Sequence, residues 1–232
     1  MTDKADLIRM KQEYANRKTR LDKIKLYSRY NSAYLYAMQH RERDLLKLLK
    51  QNLESDFSQK AILEIVCGSG GVLLEYLVNG ADPNYLFGLD ILLDRLYEAK
   101  LKIPEASILN ANGENIPFEN ASFDLVFQYT AFSSILDDTI KKNIAQEMLR
   151  IVKDNGLILW YDFWLNPTNN QTKGIKPPEI RELFPNCRFD FHKITLAPPL
   201  ARKIVPLSWI FAEFLESLKF LNSHYLVITR KQ

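Results

Sequence analysis

Cysteine is scarce in this sequence: Cys67 and Cys187 are the only two, and they match no metal-ligand spacing. A disulfide framework is therefore excluded as the source of stability, no metal is expected, and a reducing, cytoplasmic setting is the simplest expectation. No apolar run approaches the roughly 18 residues that a membrane helix needs, so no transmembrane segment is expected. The opening stretch MTDKADLIRMKQEYANRKTR has no apolar core of the kind a secretory leader carries, and no leader is expected. Internal repeats and low-complexity tracts are missing. So is G-K-[ST], which excludes a phosphate-binding P-loop.

What remains is a chain of 232 residues, 47% hydrophobic and 25% charged, which fits one globular α/β domain with an appendage. The net charge of +3 is unevenly spread. Residues 1–60 hold 14 basic against 8 acidic residues, residues 61–171 hold 7 against 15, and residues 172–232 hold 10 against 5. Two basic ends flank an acidic middle. Solvated helix faces explain this blandly; a mouth framed for an anionic acceptor explains it more sharply.

Residues 3–52 read as helix in two or three pieces, with Leu45, Leu46, Leu48, Leu49 and Leu53 at helical spacing. Strands then alternate with helices: AILEIVC, GVLLEYLV, NYLFGLD, LLDRLYEAKL, strands near 106–109 and 123–128, a helix at 138–152 and a strand at 157–162. Such alternation predicts a mainly parallel sheet covered on both faces. RFDFHKITLAPP and HYLVITRK read as two further strands, an antiparallel pair at the sheet edge. The domain organisation follows as a helical cap over 1–58 and a main domain over 59–232, with residues 197–222 inserted between the last two strands.

In such a sheet, ligands bind beyond the carboxyl ends of the strands. The first strand runs into Val66-Cys67-Gly68-Ser69-Gly70, where glycine lets the backbone approach a ligand and the next helix offers free N–H groups. The turn alone is weak, because a tight strand-to-helix connection needs glycine anyway. The dinucleotide fingerprint fails, since its third glycine would fall on Leu73. Asp90 ends the second strand 20 residues after Gly70, where an acid can take both hydroxyls of a ribose or can simply cap a helix. A polar turn at Asn112, Gly113 and Glu114 follows the third strand and leads through IPFENASFD into the fourth.

These segments, in this order, resemble the class I S-adenosylmethionine-dependent methyltransferases over roughly residues 60–165. The resemblance implies a Rossmann-like seven-stranded sheet and S-adenosylmethionine as cofactor. It implies that Glu64 and the turn Val66, Cys67, Gly68 and Gly70 hold the methionine end, that Asp90 takes the ribose, and that Ile91 packs on the adenine. Asn112, Gly113 and Glu114 would meet the adenine edge, with Asn112 in place of the usual Asp, and Gln128 would line the same site. Val66 departs from the family's glycine. Either the position is strand-like with the side chain pointing away, the favoured reading, or cofactor binding is weakened.

The flanks EYANRK, LYSRYNSAYLYAMQHRERDLLKLL, ILWYDFW, NPTNN and LAPPLARK resemble methyltransferase-like proteins of bacterial surface-polysaccharide gene clusters. That implies polysaccharide biosynthesis, with a sugar hydroxyl or glycan end as acceptor. Asp162, ending a strand, is the first candidate base, against a role as a loop anchor. His40, beside Arg41 and Arg43, is the second; His192 and His224 are further alternatives that their edge strands mark as structural. Tyr14, Arg17 and Tyr30 are candidate lid residues closing on the cofactor, and Tyr129, Phe132, Asn166 and Arg202 are candidate acceptor contacts. DNA is not an expected partner, and RNA is discounted because no RNA-binding module accompanies the fold. A non-catalytic binding protein stays open through Val66, and monomer and homodimer are equally compatible.

Overall fold

The structure, a computed structural model, describes residues 8–9, 12–13, 25–53, 56–166 and 171–232. Tyr14 and Arg17 lie outside the described residues. A first long helix, α1 (Ser32–Asn52), starts where the Asn31 side chain accepts from the backbone N–H groups of Ala33 and Tyr34. The sheet then forms from β1 (Ile62–Ile65), β2 (Leu86–Asp90), β3 (Ser107–Asn110), β4 (Phe123–Tyr129), β5 (Val152–Phe163), β6 (Cys187–Leu196) and β7 (Asn222–Lys231). Its spatial order is β3-β2-β1-β4-β5-β7-β6. The first five strands are mutually parallel, and β7 runs antiparallel to both β5 and β6. The expected antiparallel pair thus stands at one edge, with β7 inside and β6 outermost.

Strand alternation sorts the core onto two faces. Ile62, Leu125, Phe127, Leu157 and Leu159 face one side. There they meet α2 (Gly71–Val78) through Leu73 and Tyr76, α3 (Leu93–Lys102) through Leu96, and the second half of α1 through Leu45, Leu48 and Leu49. Leu63, Ile65, Val126, Ile158 and Trp160 face the other, against α4 (Asp138–Ile151) and α5 (Pro177–Leu183). α4 places Ile144, Ala145, Met148 and Ile151 on one stripe, and each large member contributes on the order of 1.5–3 kcal/mol by leaving water.

The chain goes outward from β1 to β2 and β3, then returns to the other side of β1 with β4. The carboxyl ends of β1 and β4 therefore flank the switch point, where this architecture leaves a crevice. Between β6 and β7 the chain inserts α6 (Pro198–Ile204) and α7 (Trp209–Ser217). Because β6 ends and β7 begins at the carboxyl edge, both helices lie at that end. They pack on the first half of α1 through Ala33, Tyr36, Ala201, Val205 and Ala212.

A buried carboxylate ties this roof to the sheet. Glu216 of α7 accepts from the Tyr36 hydroxyl (2.7 Å) and from the Thr195 amide of β6 (3.0 Å), and lies 3.2 Å from His40 Nδ1. Burial pushes the Glu216 carboxyl up, but the bonds from His40, Tyr36 and Thr195 outweigh it and hold it below the usual range. Its contribution to stability is therefore complete above the pKa of an unfolded glutamate and is lost as pH falls through the depressed folded value. Glu216→Ala should cost about 2–4 kcal/mol at neutral pH, since it strands a buried amide and hydroxyl. Denaturant titrations at neutral and acid pH check this, with the gap between variant and wild type narrowing in acid.

Candidate functional site

The glycine turn sits between β1 and α2, with its backbone left-handed at Gly68 (φ 54°) and Gly70 (φ 70°). Asp90, 1% exposed, reaches across from β2 and accepts from Gly68 N (2.9 Å) and Leu92 N (2.8 Å). The carboxylate thereby pins the turn and the residue that precedes α3 at once. Beneath the turn lies Glu64, 3% exposed, whose Oε2 has no hydrogen-bond partner among the described residues. Burial first, and then the charge of Glu75, push its pKa well above the usual carboxylate range, against the opposing pull of Arg95. A buried carboxylate oxygen left without a partner is costly, and a cationic ligand group would complete it.

Val66 does not take the strand-like geometry favoured from the sequence. Its φ is 59°, the left-handed conformation that a glycine adopts freely and a β-branched residue adopts at about 1–2 kcal/mol. The turn thus keeps the shape it would have with glycine. Relief comes from packing, because the valine side chain joins the core on the α4 face, whereas Glu64 faces the opposite side of β1. Thr130 (φ 52°) and Thr195 (φ 66°) are strained likewise, and all three lie at the carboxyl edge of the sheet. Glycine at position 66 regains the strain but loses the packing and gains about 0.5–1 kcal/mol of unfolded-state freedom. Val66→Gly is therefore expected to shift the melting temperature by only a few degrees and to tighten cofactor binding less than threefold by calorimetry. Binding seen only in the glycine variant would restore the alternative in which Val66 disables the site.

Further along the edge, Asn112 and Glu114 close their own turn. Asn112 Oδ1 accepts from Glu114 N (3.1 Å), and Glu114 Oε2 accepts from Asn143 of α4 (2.8 Å). Asn112 is exposed and Gly113 is buried against Ile144. Beyond β4 a row of rings crosses the strand ends: Tyr129 meets Tyr161 (5.3 Å), and Tyr161 stacks on His224 (4.7 Å), which lies 3.9 Å from Phe163. Arg41 descends from α1 onto this row, 5.1 Å from the Tyr129 ring and 5.5 Å from Tyr161, and its Nη2 donates to Glu75 of α2 (2.5 and 2.6 Å). Burial holds the His224 pKa down at about 3, helped by the Arg41 charge, so its imidazole is neutral.

Residues 62–156 match the family described as "Methyltransferase domain". This segment is similar to methyltransferase domains. The chain is 30% identical over 122 residues to a phthiotriol/phenolphthiotriol dimycocerosates methyltransferase of Mycobacterium ulcerans, covering 49% of this chain and 41% of that protein. It is 30% identical over 131 residues to a tRNA N(3)-methylcytidine methyltransferase of Schizosaccharomyces pombe, covering 52% and 40%. The chain thus spans less than half the length of these curated relatives. A geranyl diphosphate C-methyltransferase of Streptomyces coelicolor, solved with S-adenosyl-L-homocysteine, shares the fold with a TM-score of 0.59 at 13% identity, over 82% of this chain and 77% of that one.

The fold brings Glu64, Val66, Cys67, Gly68, Gly70, Asp90 and Ile91 together at the carboxyl ends of β1 and β2. Several other expected residues stand elsewhere. His40 does not face the mouth: it is 5% exposed, stacked on Tyr36 (3.9 Å) and set between Glu213 and Glu216. Asp162 is 1% exposed, and its oxygens accept from the amides of Ser133 (2.9 Å) and Phe163 (2.8 Å), so it anchors a loop. Burial lifts its pKa to about 6, against those bonds. Phe132 is wholly buried against Trp160 (4.6 Å), a core residue that no acceptor reaches. Gln128 is also wholly buried, its Oε1 accepting from Ala131 N (3.0 Å), which serves the loop after β4.

Tyr30 is fully exposed, Asn166 donates to Thr172 (3.0 Å) within its own loop, and Arg202 is exposed on α6. Tyr129 alone among the expected acceptor contacts joins the ring row. Sequence reading missed Arg41, Glu75 and Arg95; it read His224 as a structural residue of an edge strand, and it is buried on β7, one strand in from the edge. Only topology brings α1, α2, α3 and β7 to the edge, and no local motif marks them. Among the described residues no helix is long and apolar enough to cross a membrane, and no group of three or more His, Cys, Asp or Glu is placed to hold a metal.

Proposed function

We propose that this chain transfers a methyl group from S-adenosylmethionine to a hydroxyl of a sugar or other small acceptor. The observation that carries the donor half is Glu64, a buried carboxylate with an unpartnered oxygen directly beneath a left-handed glycine turn. The residues fit the cofactor: Glu64 would receive its ammonium, Asp90 its ribose hydroxyls, and the Gly68–Gly70 backbone would lie against its chain. When bound, the cofactor supplies a methyl group on a positively charged sulfur, already activated for displacement. What the protein must add is alignment of the acceptor and exclusion of water.

The acceptor half rests on the flanking resemblance to polysaccharide-cluster proteins; the rings of Tyr129, Tyr161 and His224 are buried beneath Arg41, which Glu75 pairs, and serve as the floor of that end of the sheet. Arg9 reaches the same edge of the sheet, donating to the Ser134 carbonyl (2.7 Å) just beyond β4.

The deciding experiment is incubation with methyl-labelled cofactor and a panel of nucleotide sugars, glycans, lipids and RNA. Label on a sugar hydroxyl supports the reading. Label confined to RNA, with binding that weakens steeply with salt, would replace it by nucleic-acid methylation. Neither transfer nor cofactor binding would leave a non-catalytic relative of the family.

A further inference from the structure

We propose that the outward face of α7 docks this chain on an anionic lipid bilayer, an interaction that does not depend on the methyl-transfer reading. A surface helix ordinarily turns its apolar stripe to the core and its polar stripe to water. In α7 the order is reversed. Its inward positions are Ala212 and the carboxylate of Glu216, both buried. Its outward stripe is Ile210, Phe211 and Phe214, and Leu207 and Leu218 continue it at the same spacing past the two helix ends. Leu207 is 83% exposed, Ile210 81% and Phe214 57%. The helix cannot roll to hide them. Its other side is committed to α1 and β6 through the bonds of Glu216 and the edge contact of Trp209 with Tyr36 (5.5 Å). Single exposed apolar residues need no account, but five on one line make a surface that water penalises.

The charges of the same insertion choose the partner. Its acids are Glu213 and Glu216, and its bases are Arg202, Lys203 and Lys219. Both acids are engaged by α1: Glu216 is buried, and Glu213 lies 3.3 Å from His40 Nε2 and 3.4 Å from Arg43 Nη1. The bases, at the end of α6 and just past α7, are exposed. Phenylalanine, leucine and isoleucine on one face, flanked by Lys and Arg, are what settles into the headgroup boundary of a bilayer, where anionic lipid draws each base. A second copy of the chain, seated about a two-fold axis, would set like charges against like as well as stripe against stripe. Among the described residues no helix is long and apolar enough to cross a membrane, so the contact is with the surface alone. Because the roof lies at the carboxyl edge of the sheet, docking there turns that edge toward the headgroups.

The test is flotation of the full chain with vesicles of phosphatidylcholine alone and of phosphatidylcholine with about one-third phosphatidylglycerol, each at low and high salt. Wild type should float with the anionic vesicles, and less so at high salt. Phe211→Ser with Phe214→Ser should lower the partition coefficient at least about tenfold. Arg202→Gln with Lys203→Gln should lower it roughly tenfold, on the anionic vesicles only. These side chains are exposed, so the variants should melt with wild type; Ile210→Glu, which sets a negative charge on the stripe, repeats the test if the serine variant does not fold. No flotation of wild type, undiminished flotation of the serine variant, or equal partition onto neutral vesicles would overturn the assignment. A dimer by light scattering that the serine variant splits, with no vesicle bound, would also overturn it and make the stripe a self-interface. None of these measurements uses the cofactor, so the methyltransferase reading stands or falls separately.

Discussion

Replacing Glu64 by glutamine is expected to move stability and cofactor affinity in opposite directions. Glu64 is buried, and burial raises its pKa in the fold well above that of the unfolded chain. An acid with a raised folded pKa costs nothing at a pH below its unfolded value and takes stability away as pH rises above it. Glutamine has the same shape and no proton to lose. Glu64→Gln should therefore unfold at a higher temperature than wild type near neutrality, with the difference vanishing toward about pH 4. Affinity should fall, because the cofactor's ammonium would exchange a charged acceptor for an amide, at a cost of about 1.5–3 kcal/mol or roughly 10- to 100-fold. Melting curves across this pH range and calorimetry with S-adenosylhomocysteine read the two effects separately. A variant that melts lower at neutral pH, or binds as tightly as wild type, would remove Glu64 from the ammonium site.

The second large effect is expected at Asp90. Its carboxylate accepts from two backbone amides, those of Gly68 and Leu92, in a place from which water is excluded. Asp90→Ala leaves both donors without an acceptor and should cost about 2–5 kcal/mol of stability, read from denaturant midpoints. On the proposed reading the turn it pins seats the cofactor, so affinity should drop by a further 1–3 kcal/mol or so through loss of the ribose acceptor. Asp90→Asn separates the two roles. It keeps one acceptor oxygen and sets its NH2 against the other backbone N–H, so only part of the stability should return, and two hydroxyl donors still lack a charged partner. Wild-type affinity in a folded Asp90→Asn protein would reduce Asp90 to a structural anchor.

The parts of the site that were legible in the sequence are those fixed by local chemistry. A left-handed turn needs glycine, so Gly68 and Gly70 mark it. A strand ending in an acid before a helix marks Asp90, and alternating apolar runs mark the parallel strands. Val66 misled because β-branched residues favour strands, and propensity speaks for the residue alone. The observed turn is set by its neighbours, with Gly68 held by Asp90 on one side and Leu63, Ile65 and the α4 core receiving the valine on the other. His40 looked accessible because two arginines flank it on a polar-seeming helix. Its burial depends on α7, 170 residues onward, which no helical periodicity announces. Asp162 and Gln128 sat where functional side chains often sit, but loops leaving a sheet must satisfy their own amides, and these two residues do that work.

Helix α1 belongs to two bodies at once. Leu45, Leu48 and Leu49 are part of the sheet's core, while Ala33 and Tyr36, three turns earlier, are part of the roof made with α6 and α7. Arg41 stands between them, clamped by Glu75 and resting on the rings of Tyr129 and Tyr161. Because Glu216 also bonds Tyr36 and the Thr195 amide, the roof, the front of α1 and the edge of the sheet are held as one piece, and an α1 displaced at either end must break buried polar contacts at both Arg41 and Glu216.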